Sequence, residues 1–503
     1  MNQKKAGVVL SYMSEVVKIL TQLLYTPIML RLLGTSEYGL YQLVYSVVSY
    51  LSLLSLGFAA SYVRFYSRFK KEDNETEIAR LNGMFMTIFL IISFICLACG
   101  AVMILNIRSI FSTGLTEAEY ATARILMAMM VFNLALSFPI SVFNCIISAK
   151  EQFFFQRLIM VLQNLLNPFL TLPLLIMGWG SIGMVLITTL LSVAKLILFV
   201  RFCFRKLHSK FLFHHFNKDL LREIWGFTFF IFLNQIIDQI NWSIDKFLLG
   251  RMAGTTAVAI YGLGGQINSL YVQLSSSVST VFVPKVNRIV AETNDNRELS
   301  RLFIKIGRIQ FMILSMILTA YIFLGKPFMT IWGGPEYTNS YYVALWLITP
   351  VTVPLIQNLG IEIQRAKNMH KARSVVYFFI ALANIFISIP LIRLFGPAGA
   401  AIGTAISLFA GNILFMNWYY YKKIGLDIPG FWKNIISMLP AYILPAICGI
   451  LIMKFTNIHR FIFLLIWGAV YSIVFAGSMW FFGLNQDEKQ MIMGPVRKVL
   501  KRR

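Results

Sequence analysis

Apolar runs of about 18 residues or more recur along the whole chain, separated by short polar segments rich in Lys and Arg. Coiled as helices, runs of that length cross the roughly 30 Å of bilayer hydrocarbon. Fourteen spans are predicted, centred near residues 20, 51, 94, 134, 165, 192, 237, 270, 314, 353, 384, 410, 443 and 471. Met1 to Lys5 is short and polar and runs straight into a full-length span, so no cleavable signal is expected and the first helix should remain as a signal-anchor. An even number of spans puts both termini on one side of the membrane. The expected fold is an all-α polytopic membrane protein.

A repeat runs through this pattern. LLG ending at Gly34 recurs as LLG ending at Gly250, and Gly180-Ser-Ile-Gly183 recurs as Gly396-Pro-Ala-Gly399, both at an offset of 216. Ala149-Lys150 and Ala366-Lys367, Pro173 and Pro390, and Asn167 and Asn384 keep an offset of 217. Each match alone is weak; their shared spacing is the signal. It predicts two pseudo-symmetric six-helix bundles, residues 1–210 and 211–425. Residues 426–503 then add two transmembrane helices and a basic tail. Six is even, so the halves run the same way, related by an axis along the membrane normal. In secondary transporters that plan places the substrate between the halves near mid-membrane.

Composition agrees with the pattern and charge refines it. Of 503 residues 58% are hydrophobic and 13% charged, with a mean hydropathy of +0.71, too much apolar surface for a water-soluble fold. The net charge of +24 would suggest nucleic acid, but its placement decides otherwise. With the termini inside, the outer loops hold only Arg31, Arg108, Arg251, Lys326, Arg393, Lys454 and Arg460, while most of the 45 Lys and Arg fall on the inner side. That asymmetry is the positive-inside rule, so both termini are expected in the cytoplasm and no nucleic-acid partner is implied. Trp179, Trp225, Trp332, Trp418 and Trp432 fall near predicted interfaces, as anchoring aromatics do. The five Cys include a CxxC at Cys96 and Cys99 with no second pair to complete a zinc site, so small apolar packing is the reading. No GxxxxGK[ST] sequence and no loop large enough for a nucleotide-binding domain occur, which excludes an ATP-driven pump and leaves a secondary transporter rather than an enzyme.

Polar groups inside hydrocarbon are costly and usually face a bundle interior or a wet cavity. Ser11, Glu15, Lys18, Gln22 and Tyr25 form one helical stripe in the first span, and Asn234, Asp238, Asn241 and Asp245 form another in the seventh. Gln266, Ser269, Gln273, Ser276 and Thr280 stripe the eighth; Asn133, Ser137, Ser141 and Asn144 stripe the fourth. Arg64 closes the second span, Arg124 lies in the fourth and Lys195 in the sixth. The candidate substrate-binding set is Lys18, Gln22, Arg64, Arg124, Lys195, Asn234, Asn241, Gln266 and Gln273; the candidate ion-coupling set is Glu15, Asp238 and Asp245. The plainer reading is helix–helix glue worth about 0.6 kcal/mol per contact. Glu15 and Lys18 can pair with each other, and Asp245 and Lys246 lie near a span end, where snorkelling suffices. Lys18, Asp238 and Lys195 lie deeper, where function is the stronger reading. Pro139, Pro168, Pro173, Pro354 and Pro390 interrupt spans and serve equally as hinges or as plain kinks.

LRLLGTSEYGLYQL at 30–43, SLGFAASYVRFYSR at 55–68 and IDKFLLGRMAGTTAVAIYGLGGQI at 244–267 resemble the multidrug/oligosaccharidyl-lipid/polysaccharide flippase superfamily, in its polysaccharide-transport branch. The last segment carries the branch's Asp-Lys or Asp-Arg pair, Gly and later Tyr. The resemblance implies transfer of an undecaprenyl-diphosphate-linked oligosaccharide across a bacterial cytoplasmic membrane, feeding assembly of a surface polysaccharide beside glycosyltransferases and a polymerase. It implies no cofactor, with a proton or a sodium ion as coupling ion. Two relatives stay open as alternatives: a cation-coupled multidrug exporter, and a flippase for the peptidoglycan lipid precursor. Peptidoglycan flippases use several Arg in the N-terminal half, where this chain offers only Lys18, Arg64, Arg124 and Lys195. A membrane-embedded glycosyltransferase needs a large catalytic loop, which is absent.

Overall fold

The computed structural model describes residues 3–111, 115–214, 218–369, 371–490 and 493. Every regular element among them is helical. We number the principal helices α1 Gln3–Ser49, α2 Phe58–Lys71, α3 Glu75–Leu105, α4 Glu117–Ala149, α5 Phe153–Ile176, α6 Gly180–Arg205, α7 Lys218–Thr280, α8 Val283–Glu292, α9 Asn296–Trp332, α10 Ser340–Ile356, α11 Asn358–Ala366, α12 Lys371–Phe395, α13 Pro397–Ile424, α14 Ile428–Phe455 and α15 Phe461–Gly483. Among the described residues nine helices are long and apolar enough to cross a membrane, ten when α10 and α11, bent by 45° at Gln357, are taken as one span. The two longest helices each fold back at a glycine, which gives two further arms apiece. The outward faces suit lipid and not water: Leu90, Ile91 and Phe94 of α3 are 51%, 55% and 72% exposed. The chain is a multi-pass membrane protein.

Two corners define the helical arms. Gly34 in α1 has φ 77° and ψ 170°, and Gly254 in α7 has φ 81° and ψ −180°. That region of backbone space is nearly exclusive to glycine, because a Cβ there collides with its own backbone. The corner equivalent to Gly34 is therefore Gly254, four residues beyond the Gly250 to which the LLG match points. Gly250 stays helical and packs on Leu43, so the second arm pair is one helical turn longer before it folds back.

The chain divides into two compact units, Met1–Gly262 and Leu263–Arg503, the division falling within α7. In the first, α1 packs on α4, α5 and α6, and α4 packs on α3 and α6. An aromatic row runs through its core, with Tyr62 edge-on to Phe85 at 5.2 Å, then Phe89 and Phe138. The chain between α1 and α2 is broken by a 3-10 turn, Tyr50–Ser55, and left-handed residues at Leu56 and Gly57. In the second unit α9 packs on α10, α14 and α15; Leu324, Met438, Ala441, Ile452, Leu464, Tyr471, Phe475 and Met479 form the core that joins the last two spans to α9. Trp179, Trp225 and Trp418 are half-exposed as anchors would be, whereas Trp332 turns inward and stacks on Phe328 at 5.3 Å.

Candidate functional site

The first unit gathers its polar chemistry in two places. One is the end carrying both glycine corners. There the Glu119 carboxylate, in the first turn of α4, accepts from Ser36 Oγ at 2.6 Å and from Thr255 Oγ1 at 3.0 Å. Ser36 follows the Gly34 corner and Thr255 follows the Gly254 corner, so one side chain ties both corners to a third helix. Ser36 Oγ and Thr255 Oγ1 are themselves 3.2 Å apart. The approach requires Gly39, where a Cβ would stand 1.9 Å from the Thr255 carbonyl oxygen. Glu119 is held from behind by a capping box with Thr116. Beside it, Glu37 Oε1 accepts from the Ser181 backbone N–H at 2.7 Å and the Ser181 hydroxyl at 2.8 Å, a carboxylate on the positive end of α6. The TSEYG segment at 35–39 thus acts as the clasp of this end.

The second place is the interior of the spans. Tyr261 donates to Asp245 Oδ2 at 2.6 Å, and Asp245 is 1% exposed. The Asp and the later Tyr of the 244–267 segment are therefore partners across the corner. Lys246 Nζ donates to Gln42 Oε1 at 2.9 Å, and Gln42 donates to Tyr38. Two turns away Gln239 Nε2 donates to Ser49 Oγ at 2.6 Å, pinning α7 to α1. These contacts are the helix–helix glue that an unpaired polar group in hydrocarbon demands.

Of the candidate cations, Lys18, Arg124 and Lys195 stand apart from that glue among the described residues. Lys18 is exposed on the first arm of α1, Arg64 is exposed on α2 with its guanidinium 5.9 Å from the Phe65 ring, and Arg124 is exposed on α4. Lys195 is half-buried midway along α6, with Nζ 5.5 Å from the Phe199 ring. Their helices connect through α4, since α1 packs on α4 and α6, α4 on α6, and α2 on α4. Among the described residues Lys18 and Arg124 have no hydrogen-bond or ion-pair partner, and Lys195 has only the Phe199 ring. The pairing of Lys18 with Glu15 open to the sequence is not made; Glu15 is exposed and Gln22 half-buried. Gln266 and Gln273 are half-buried on the far arm of α7 and belong to the second unit. The side chains of Asn234, Asp238 and Asn241 lie outside the described residues.

Sequence reasoning passed over Glu37, Glu119 and one further group, Arg308 of α9. Its guanidinium is 5% exposed and meets Glu488 in a bidentate pair at 2.6 and 2.9 Å. It also donates to the Asn434 and Gly483 carbonyls, so the N-terminal third of α9 holds the first turns of α14 and the chain after α15. Burial alone would raise the Glu488 carboxyl, but Arg308 and the Asn485 backbone N–H outweigh it and bring it below the ordinary carboxylate range.

Comparison with known proteins places this geometry. Residues 5–290 match the family described as polysaccharide biosynthesis protein. An uncharacterized membrane protein EpsK of Bacillus subtilis is 22% identical over 491 residues, covering 94% of each chain. A probable flippase AglR of Haloferax volcanii is 24% identical over 178 residues, 35% of this chain and 37% of that one. Among solved structures, the lipid II flippase MurJ in an inward closed conformation aligns over 94% of this chain and 98% of its own, with a TM-score of 0.71 at 16% identity. An inward-facing multidrug resistance MATE family transporter of the MOP superfamily aligns over 83% and 99%, with a TM-score of 0.67 at 15% identity. More than half its length lies inside the family match and its fold is that of the MurJ and MATE structures, so the chain belongs to the polysaccharide biosynthesis protein family.

Proposed function

We propose that the protein is a flippase that carries an undecaprenyl-diphosphate-linked oligosaccharide across a bacterial cytoplasmic membrane by alternating access, for surface polysaccharide assembly. The observation that carries this reading is the pair of uncompensated lysines, Lys18 and Lys195, in the middle of apolar helices of the first unit. A lysine at the centre of a span costs about 3 kcal/mol on insertion scales, and among the described residues neither has an acid to offset it. A diphosphate supplies two negative charges and strong acceptors, which charge-assisted hydrogen bonds from Lys18, Lys195 and Arg64 would hold. Arg124 would extend the set toward the corner end, and Gln22, Asn234, Asn241, Gln266 and Gln273 would serve sugar hydroxyls.

Outward movement of the anionic lipid gains from an inside-negative potential, about 2.3 kcal/mol per charge per 100 mV. Asp238, with Glu15 and Asp245 as further candidates, would take up a proton or sodium ion to drive the return. The positive-inside distribution supports cytoplasmic termini, and glycosyltransferases and a polymerase would be the working partners. The test is translocation of a fluorescent polyprenyl-diphosphate oligosaccharide in proteoliposomes. Lys18→Gln and Lys195→Gln should each slow it at least tenfold, and full rates in the double variant would reject the site. Full gradient dependence in Asp238→Asn would reject the coupling role.

A further inference from the structure

A second cationic site lies in the other unit. Where α9 begins, α13 ends and α14 begins, an open cavity of about 660 Å³ is lined by Arg297, Arg301, Ile304, Lys422, Leu426 and Asp427 among others. Three spans meet their termini here, so the cavity sits at the membrane boundary, on the side to which the basic loops and both chain ends are assigned. Trp418 and Tyr421, 51% and 48% exposed on the last turns of α13, mark the headgroup level as interfacial aromatics do.

The charges of this cavity are unspent. Arg297 and Arg301 are one turn apart on a single face of α9, both exposed, and no side-chain hydrogen bond or ion pair engages either among the described residues. Among the described residues Lys422 has only the ring of Tyr421, at 5.2 Å. Lys305 continues the stripe one turn further along α9. Two of the acids nearby are committed to backbone: Asp427 Oδ1 accepts from Gly430 N–H at 2.8 Å, and Asp295 Oδ1 accepts from Arg297 N–H at 2.8 Å, while Glu298 lies outside the lining. Asp427 also donates its own N–H to Ser300 Oγ, which fixes the loop against α9. Three cations therefore face one space against a single capping carboxylate, with Ile304 and Leu426 giving it an apolar wall.

We infer that this cavity binds the phosphate of an anionic phospholipid from the leaflet on the basic side of the chain. Two guanidiniums and an ammonium present fork and point donors to a phosphodiester, the boundary position brings headgroups to them, and the apolar wall takes the first methylenes of an acyl chain. Basic pockets between spans on that face are a general form of lipid headgroup site. The inference does not rest on Lys18 and Lys195 and stands if their assignment fails.

Native mass spectrometry of the full chain, released from nanodiscs containing phosphatidylglycerol and phosphatidylcholine, tests it. The wild type should retain phosphatidylglycerol over phosphatidylcholine. Arg297→Gln with Arg301→Gln should lower that retention at least tenfold, and Lys422→Gln, far from the packed core, should lower it severalfold. Millimolar inorganic phosphate should not displace the lipid. Equal retention by wild type and the double variant overturns the site, as does retention of both lipids alike. Displacement by inorganic phosphate at millimolar concentration overturns the lipid as its ligand and leaves a free-phosphate site.

Discussion

Glu119→Ala removes a side chain that bonds both glycine corners, and its effect can be worked from the geometry. The carboxylate takes one hydrogen bond from each corner, from Ser36 and from Thr255. Hydrogen bonds to a charged group contribute about 1.5–3 kcal/mol each when buried. Glu119 is only part-buried, so water recovers much of this and about 2 kcal/mol in total is the reasonable figure. That is a shift of about 30-fold in any equilibrium that separates the corners. Hydrogen–deuterium exchange in nanodiscs reads it directly, because amides over residues 33–40 and 252–258 exchange only when the corner end opens. Protection there should fall about 30-fold in Glu119→Ala and stay constant over residues 461–483. Thr116→Ala, which breaks the capping box but leaves Ser36 and Thr255 bonded, separates helix fraying from unlatching and should leave the corners protected. Unchanged corner exchange in Glu119→Ala would refute the latch.

Three further outcomes follow from the same contacts. In a background without the five native cysteines, Ser36→Cys with Thr255→Cys should cross-link under mild oxidant and halt transport until reduced; full turnover while cross-linked would show that the corners never part. Gly34→Ala and Gly254→Ala should each cost about 1–3 kcal/mol through backbone strain, read as earlier thermal unfolding, whereas Gly468→Ala, helical with open space at its Cβ, should be neutral or stabilising. Arg308→Met should cost about 3–5 kcal/mol by stranding Glu488. Because the Glu488 carboxyl lies below its unfolded value, its contribution is complete above about pH 4.3 and is lost as pH falls through the folded value; melting curves between pH 5 and 3 should show that loss in the wild type and not in Glu488→Gln.

The apolar runs made the helical membrane architecture legible, since hydrocarbon thickness dictates their length. The motif residues were legible as a set but not in their partnership: Asp245 and Tyr261 read as recurring letters until the corner brings them to 2.6 Å. The LLG match led to Gly250 because short apolar triplets recur freely in spans, while the residue that bears the turn, Gly254, is marked only by its backbone angles. Glu37, Glu119 and Arg308 escaped notice because their partners lie 144, 83 and 180 residues away, and no periodicity encodes such distances. Thr116-x-x-Glu119 does carry a capping-box signal, but that pattern announces a helix start and is silent about Ser36 and Thr255. The lysines Lys18 and Lys195 were legible for the opposite reason, as charges where hydrocarbon should exclude them.

The proposed substrate is tested most directly by mass spectrometry of lipids that stay with the gently purified protein, wild type beside Lys18→Gln with Lys195→Gln. An undecaprenyl-diphosphate glycan enriched on the wild type and absent from the double variant is the expected result. Wild type carrying no prenyl lipid, together with saturable binding of organic cations that survives both substitutions, would contradict it and point to a drug exporter.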